Sequence, residues 1–536
     1  MPLRTNAFQV FPWKGGLDRS QRASQLKPDN LTRAENIIID GNSTRVPREG
    51  INASFDDRST DLDKIIHLDD FWFETLGEKD HNIVSITEAG SVYRYNLAGA
   101  STDISNSSYT LGPTKTADTE TFGNRLVIAT RPTTGSTTLF LLEGTDTEIT
   151  RLQDNALFTD GDPEPPNCSI LRTHIGRLWT NDLSNKDRLH YTETGNMFKW
   201  QGVGDSGALD IEPGDGDPEG ITAIFPTFRG DLIVAKKTKL YRVTGTTPET
   251  FQVQRISNGI GCESHQAVAA VDTNDVLWVS NRGVHSLNAT DAFGDFSSKF
   301  VSASIQQLFN DDVETQLLPA TYARYLPALN SVAFTFSING SATNSTIFWY
   351  NIEYGQWFTW PDIDVSAITR ADDGDRDRLY IGRSDGRVAK TQTNIYIDVD
   401  TGGNEQPYIM RLTTGRVSVD GTMYTTKSHK KISLLYTAND SHQITASLKI
   451  DNHDAQTTTY TTNESFPLLG SSFILATSLL GDRELTGPYT VTQDGFGRAF
   501  ELDVQQTINR EWVEIEGFVV EWEAGDAIQE FRSNGQ

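Results

Sequence analysis

One short stretch has the residue types of two known chemical sites. Residues 202–207, GVGDSG, match the G-x-G-x-x-G pattern of dinucleotide-binding loops, and Gly-Asp-Ser-Gly surrounds the nucleophile of some serine proteases. A dinucleotide loop needs a following helix to bind the pyrophosphate, whereas Pro213 and further glycines come next. A serine nucleophile needs a positioned histidine and its orienting aspartate, and no histidine stands in such a context. We interpret 202–207 as a surface loop.

The histidines and cysteines lack the spacing of a metal or redox site. None of the nine histidines forms an H-E-x-x-H or H-x-H pair; they are His67, His81, His174, His190, His265, His285, His429, His442 and His453. The two cysteines, Cys168 and Cys262, are too few for a zinc cluster or a disulfide framework, and they fall in different repeat units. We expect both thiols to be unpaired, and no metal or cofactor.

Two acidic segments have the residue types for calcium or glycosidase chemistry. Residues 205–219 carry six carboxylates and no basic residue, and residues 372–377 carry four aspartates around Arg376. Neither segment has the ligand spacing of an EF-hand loop. Glycosidases need two opposed carboxylates, but a chain with 72 acidic residues always offers such pairs. We interpret both segments as solvated surface and expect no catalytic activity.

Composition excludes several other classes. The 536 residues carry 46 Lys and Arg against 72 Asp and Glu, a net charge of -26, whereas a nucleic-acid-binding surface needs an excess of basic residues. No apolar run is long enough to span a membrane, and residues 1–20 lack the apolar core of a signal peptide. The expected product is a protein without a membrane span.

The elements that would position these residues are short strands in a degenerate repeat. A polar tip followed by an apolar strand recurs seven times, centred on Ile83, Leu126, Leu178, Leu232, Leu277, Val332 and Leu379. The spacing of these centres is close to the length of roughly 40–50 residues that a four-stranded propeller blade requires. Tight turns at 89–93 and 384–388 and a hairpin at 347–360 follow the same scheme. Trp278, Trp349 and Trp357 lie within strands and are expected in the core.

The pattern predicts an all-β chain built on a β-propeller of six to seven blades, with seven favoured, over residues 61–395. Residues 396–536 have longer alternating strands and predict a C-terminal antiparallel β-sandwich. Helical periodicity is confined to 304–317 and to a turn or two after Pro28. A set of β-sandwiches is the alternative architecture.

Residues 1–60 differ from the rest. They hold nine Lys or Arg and seven Asp or Glu, a net charge of +2, so the remainder of the chain carries -28. With few strand signals, this segment is expected to be an extended arm. It would contact a neighbouring subunit, or alternatively pack on its own propeller or supply a closing strand. On the first hypothesis, deletion of residues 1–50 leaves a folded monomer that cannot join tails.

The same segment carries a resemblance to a known family. Residues 15–18 read GGLD, residues 28–41 read PDNLTRAENIIIDG, and residues 45–50 read RVPREG. This succession is similar to the opening of the tail nozzle proteins of short-tailed bacteriophages, also called tail tubular or packaged-DNA stabilisation proteins. The stretches GRAFEL at 497–502 and WVEIEG at 512–517 extend the resemblance to the C-terminal domain.

The resemblance implies a structural virion protein of the phage tail, made in the bacterial cytoplasm. Its copies would form a ring, hexameric in that family, that continues the DNA channel below the portal and adaptor, retains the packaged genome and permits ejection. Partners would be further copies, the head-tail adaptor or portal, and tail fibre or needle proteins, with DNA passing without specific binding. The expected assembly contacts are Phe11, Trp13, Gly15, Gly16, Leu17, Asp18, Arg45 and Arg48.

Two other functions remain open at the sequence level. A propeller enzyme acting on host polysaccharide would show a deep cleft with converging carboxylates and tryptophan platforms. A tail-tip propeller that binds the host surface would expose aromatic residues on its loops.

Overall fold

The fold is described from a computed structural model. The structure describes residues 6–39, 44–75, 77–109, 111–112, 114–133, 138–144, 146–271, 275–290, 295–438, 443–451, 456–461, 485–486, 489–510 and 512–524. Within these residues the chain is all-β, with short helical turns only. None of the described helices has the length and apolar character needed to cross a membrane.

The described part of the N-terminal segment contains five short strands. They are β1 (Asn6–Val10), β2 (Leu31–Glu35), β3 (Ile37–Ile39), β4 (Arg45–Pro47) and β5 (Ile51–Asn52). The structure therefore differs from the expected extended arm, and the helical turn expected after Pro28 is the strand β2. Leu31 and Ala34 are fully buried on β2, so their burial in a sheet prevails over the local capping signal.

Seven four-stranded antiparallel blades follow, one for each repeat of the sequence. Blade 1 comprises β6 (Ile65–Thr75), β7 (Glu78–Thr87), β8 (Val92–Asn96) and β9 (Ser101–Asp103). Blade 2 comprises β10 (Thr114–Phe122), β11 (Arg125–Pro132), β12 (Leu139–Glu143) and β13 (Thr150–Arg151). Blade 3 comprises β14 (Leu171–His174), β15 (Arg177–Asn181), β16 (Arg188–Tyr191) and β17 (Gly207–Asp210). Blade 4 comprises β18 (Ile221–Ile224), β19 (Leu232–Lys236), β20 (Lys239–Thr244) and β21 (Gln252–Asn258).

The last of the remaining blades recruits a strand from elsewhere. Blade 5 comprises β22 (Val268–Val271), β23 (Asp275–Ser280), β24 (Gly283–Thr290) and β25 (Asp295–Phe300). Blade 6 comprises β26 (Ala323–Leu326), β27 (Ser331–Phe336), β28 (Thr346–Asn351) and β29 (Gln356–Pro361). Blade 7 has three consecutive strands, β30 (Ala367–Asp372), β31 (Asp377–Gly382) and β32 (Val388–Thr391), and its fourth strand is β5 from the N-terminal segment.

The ring is closed, since β30 of blade 7 packs against β6 of blade 1. The first strands of neighbouring blades are in contact around most of the ring and surround the axis. Each of the seven repeat centres lies on the second strand of its blade, which confirms the seven-bladed propeller. Trp278, Trp349 and Trp357 are fully buried, as expected.

Short helical turns connect some of the blades. They are 3₁₀ turns at Leu152–Asp154, His265–Ala267, Ala303–Ile305, Thr315–Ala320 and Pro327–Leu329, and one α-helix, α1 (Gln306–Asp312). The helical segment expected over 304–317 is therefore a 3₁₀ turn, a two-turn helix and a second 3₁₀ turn. Cys168 and Cys262 are buried and unpaired, in agreement with the sequence.

Two sheets form the C-terminal sandwich. The first joins β36 (Lys427–Ala438), β39 (Leu485–Thr486), β40 (Tyr489–Gly497) and β42 (Val513–Ala524) to β1, β3 and β4. The second joins β35 (Tyr408–Thr414), β37 (Gln443–Ile450), β38 (Gln456–Thr461) and β41 (Phe500–Ile508). Strand β2 lies between β35 and β29, so this sheet continues into blade 6. The short strands β33 (Asp398–Val399) and β34 (Glu405–Gln406) extend blade 7 beyond β5.

The core follows this connectivity. Separate apolar clusters lie between blades 1 and 2, 2 and 3, 3 and 4, and 4 and 5. From blade 5 through blades 6, 7 and 1, a single cluster extends into the sandwich. There Phe500 and Phe518, from the two facing sheets, pack edge to face at 6.1 Å. The N-terminal strands thus unite the propeller and the sandwich into one packed body.

Candidate functional site

Two of the apolar residues expected to make assembly contacts, Trp13 and Leu17, lie inside the chain. Trp13 is fully buried, donates from Nε1 to the Asp29 carbonyl at 3.0 Å and packs its ring against Phe518 at 5.1 Å. The Leu17 amide donates to the Trp357 carbonyl of blade 6 at 2.7 Å. These residues therefore link blade 6 to the sandwich of their own chain.

The two glycines between them allow close approach of the backbone. A Cβ on Gly15 would lie 1.9 Å from the Asp29 carbonyl oxygen, and one on Gly16 would lie 2.8 Å from that of Trp357. The Asp18 carboxylate accepts from Asn30 Nδ2 at 2.6 Å, which holds the following loop. Close packing of the backbone therefore accounts for the two glycines of the GGLD stretch, and the bond to Asn30 accounts for its aspartate.

The two arginines expected at a subunit boundary are also internal. Arg45 is fully buried, and burial lowers its pKa to about 10; it donates to the carbonyls of Gly15 and Thr44. Arg48 makes a bidentate ion pair with Asp398, at 2.7 and 2.6 Å, below the face of Tyr408. Burial opposes its charge, but the bond to Asp398 raises the pKa of Arg48. The expected carboxylate pairing of Arg48 thus occurs within the chain.

Among the eight expected contact residues, only Phe11, 52% exposed, offers a large free surface. In the segment that follows it, Lys14, Arg22 and Lys27 are exposed and have no ion-pair partner among the described residues. We call residues 11–30, with these three cations, the basic loop. Sequence reasoning missed them because nothing local distinguishes an exposed cation from a buried one such as Arg45.

The acidic segments are not wholly solvated surface, as had been expected, because several of their carboxylates form ion pairs within the chain. Asp215 lies 3.1 Å from Lys236 Nζ and 3.3 Å from Lys239 Nζ. The Arg378 guanidinium pairs with Asp373 and Asp375 at 3.0 Å each. Across the described residues, no group of three or more His, Cys, Asp or Glu side chains could hold a metal ion. These carboxylates are structural.

The GVGDSG loop carries no activated nucleophile. Ser206 Oγ donates to the Val203 carbonyl at 2.7 Å, and Asp205 pairs with Arg177. The segment leads into strand β17 rather than a helix. Both observations agree with the interpretation as a loop.

The propeller axis is filled by a polar cluster. Asp118 accepts from the Leu171 amide at 2.6 Å and from Gln266 Nε2 at 2.7 Å, and it lies 3.1 Å from His265 Nε2. The His265 ring also lies 3.2 Å from the Ile224 amide through Nδ1 and 2.8 Å from the Arg172 guanidinium through Nε2. Although burial opposes ionisation, these contacts lower the pKa of Asp118.

A second set of axial contacts lies beside the first. Thr119 Oγ1 donates to Asp69 at 2.7 Å and is 2.8 Å from His67 Nε2. Burial and the nearby Asp70 raise the pKa of Asp69 to about 7, and burial lowers the pKa of His67 to about 4. Near neutral pH, His67 is therefore uncharged.

These contacts close the axis and leave a cavity on either side. One cavity measures about 610 Å³ and is lined by residues including Lys64, Asp182 and Glu263. The other measures about 480 Å³ and is lined by residues including Asp69 and Arg324. Volumes of this size suit a small molecule. The axis of the propeller is not an open bore.

Comparisons with known proteins assign the chain to no family. No family model matches the chain, and no curated protein matches it. Among solved structures, the chain is similar to the N-terminal domain of Nup159, with 11% sequence identity and a TM-score of 0.37. That alignment covers 67% of this chain and 96% of the other. The propeller assignment rests on the seven blades and their closed order.

Proposed function

We propose that this chain is a ring-forming structural protein of a phage tail, in which copies assemble around a DNA channel. The observation that carries the proposal is the basic loop on a strongly acidic body. Lys14, Arg22 and Lys27 are exposed and unpaired among the described residues, whereas the chain as a whole has a net charge of -26.

Electrostatics favours contact between the basic loop and another copy. Copies with this net charge repel one another, so a stable ring needs local attraction at each boundary. The basic loop is anchored at its base by buried Trp13 and Leu17. Its backbone is therefore held in place, which reduces the entropy cost of docking on an acidic surface. Exposed Phe11 would add an apolar contact.

The closed propeller axis supports a channel between copies. Cavities of about 480 and 610 Å³ are far too small for a DNA duplex, so DNA would pass through the centre of a ring of chains. An acidic channel wall would repel phosphate and let DNA slide without binding. The resemblance of the N-terminal stretches to tail nozzle proteins points to six copies.

The test is the mass and shape of the purified full-length protein. Mass photometry and negative-stain electron microscopy should show rings with a central hole, whose mass is six times that of a single chain. The triple variant Lys14→Glu, Arg22→Glu and Lys27→Glu should stay monomeric. A strictly monomeric wild-type protein at all concentrations would overturn the ring.

A matched variant separates the basic loop from net charge. Lys79→Glu, Lys115→Glu and Arg131→Glu make the same charge change on exposed sites of blades 1 and 2. This control should assemble like the wild type. If both triple variants lose the ring equally, net repulsion is responsible and the loop has no specific part.

A further inference from the structure

The smaller axial cavity has the features of a ligand site. It opens where the first strands of the blades converge on the axis, and its lining includes His67, Asp69, Thr119, Arg324 and Thr369. Its volume of about 480 Å³ lies in the range of small-molecule pockets. Because its polar groups come from different blades, closure of the ring is what assembles them.

His67 supplies a buried acceptor in this cavity. When Asp69 is ionised, Thr119 Oγ1 donates to it, and the Nε2 atom of His67 then donates to Thr119. The neutral ring therefore carries a lone pair on Nδ1. That atom is buried and has no hydrogen-bond partner among the described residues, although His67 is only 1% exposed. A buried acceptor without a donor is costly, and a ligand donor would satisfy it.

Arg324 supplies donors to the same cavity. Its guanidinium donates to the Ala323 carbonyl at 2.9 Å and to Gln266 Oε1 at 2.8 Å, and no described carboxylate pairs with it. The neighbouring Arg172, by contrast, is paired with Glu120 at 3.2 Å. A guanidinium has five N–H donors, so Arg324 keeps donors for a ligand oxygen.

Trp72 forms a flat apolar surface at the rim. Its indole is 45% exposed, stacks on His81 with a centroid distance of 3.7 Å, and donates from Nε1 to Asp70 at 3.1 Å. The ring is thus held in one orientation while much of it faces solvent. A rigid, exposed indole beside a polar cavity suits a ligand with one apolar face.

We infer that this cavity binds one neutral hexose unit of a saccharide. Sugar hydroxyls both donate and accept, so they can satisfy His67 and Asp69 as acceptors and Arg324 as donor. The C–H face of a pyranose ring can pack on Trp72. Four carboxylates and three guanidinium groups line the cavity, so its charge gives no preference for an anionic sugar.

The experiment is ligand-observed NMR with the full-length protein. The probes are the methyl glycosides of glucose, galactose and mannose, each at about 10 mM, where a millimolar site is mostly occupied. Methyl glucuronide is the anionic comparison. At least one neutral glycoside should bind. Absence of binding by all three, or binding of the glucuronide alone, would overturn the inference.

Variants locate the site. Asp69→Asn and Trp72→Ala should each weaken binding about tenfold or more, while each variant still unfolds in a single cooperative thermal transition. Tyr424→Ala changes a side chain that is 94% exposed on the sandwich and should leave binding unchanged. Equal affinity in all four proteins would place the sugar elsewhere and reject the cavity.

A last comparison identifies the source of the sugar. An oligosaccharide with the binding hexose at its non-reducing end is titrated beside the methyl glycoside. Similar affinity supports recognition of a terminal unit of a polysaccharide, and binding of the glycoside alone supports a free sugar as ligand. A requirement for several consecutive units would contradict a one-unit site.

Discussion

Arg48 shows how one residue ties distant parts of the chain together. Its guanidinium pairs with Asp398, far along the chain, and lies 4.0 Å from the centroid of the Tyr408 ring. The Arg48 side chain is 3% exposed and that of Asp398 is 25% exposed. Loss of one partner would leave a carboxylate that is largely removed from water.

We predict that Arg48→Ala lowers the free energy of unfolding by about 2–4 kcal/mol, because a buried pair is broken from one side. Arg48→Lys should recover only part of this, since an ammonium cannot make the bidentate contact. Denaturant unfolding measures both. Arg33→Ala is the control, because its ion pair with Glu35 is 4.0 Å long and exposed; a comparable loss there would contradict the argument.

Two buried titratable groups should move stability in opposite directions with pH. Burial lowers the pKa of His285 from 6.5 to about 4, so the unfolded chain binds that proton first and stability falls as pH drops below 6.5. Burial raises the pKa of Asp69 from 3.8 to about 7. As pH rises from about 4 to 7, the unfolded chain loses this proton before the folded chain does, so the stability of the folded chain falls.

The free energy of unfolding of His285→Gln, taken relative to that of the wild type, should therefore be higher at pH 4.5 than at pH 8. For Asp69→Asn the same difference should be higher at pH 8 than at pH 4.5. Each difference should reach about 1–2 kcal/mol. Chemical unfolding at both pH values measures them. Parallel changes in the two variants would show that neither group carries the linkage.

At the scale of elements, β5 closes the propeller. Ile51 and Asn52 pair with Thr391 and Lys390 as the fourth strand of blade 7, between β32 and β33. A Cβ on Gly50 would lie 1.9 Å from the Ile397 carbonyl oxygen. The N-terminal strands are thus part of the core of the molecule.

Deletion of residues 1–52 should consequently abolish cooperative folding, contrary to the sequence-based expectation of a folded monomer. The deletion exposes edges in blade 7 and the sandwich and removes buried Trp13. Circular dichroism and thermal unfolding measure this. A soluble truncated chain with a sharp transition would show that the segment is dispensable for the fold.

A gentler variant tests the same contact. Gly50→Ala should cost about 1–3 kcal/mol, because the new methyl group meets backbone atoms. Gly402→Ala is the control, since its neighbours are the side chains of Asn404 and Asp400 on an exposed turn. Equal stability of the two variants would contradict the close packing of Gly50.

At the scale of the whole molecule, the net charge of -26 should control assembly. Added salt shortens the screening length from about 30 Å at 0.01 M to about 8 Å at 0.15 M. Salt weakens both the long-range repulsion between copies and the contacts of the basic loop. Because the repulsion involves far more charges, its loss has the larger effect, and salt should favour assembly. Mass photometry should find more rings as salt rises across this range, and a steady loss of rings would contradict it.

The sequence by itself determined the strand-rich character of residues 61–395 and favoured seven blades. A strand is encoded by alternation and turn residues over a few positions, so the seven repeat centres and the hairpin at 347–360 were visible directly. The burial of Trp278, Trp349 and Trp357 followed from the same local pattern.

Only the tertiary structure decided where residues 1–60 belong and which polar groups meet at the axis. Strands β2 and β5 are short, and their partners β35 and β32 lie far along the chain, so no local pattern specifies the pairing. Asp69, Asp118 and Arg324 come from three different blades. They meet because the blades close into a ring in which the strand edges find hydrogen-bond partners. This closure depends on the whole molecule, so the sequence of a single segment does not predict it.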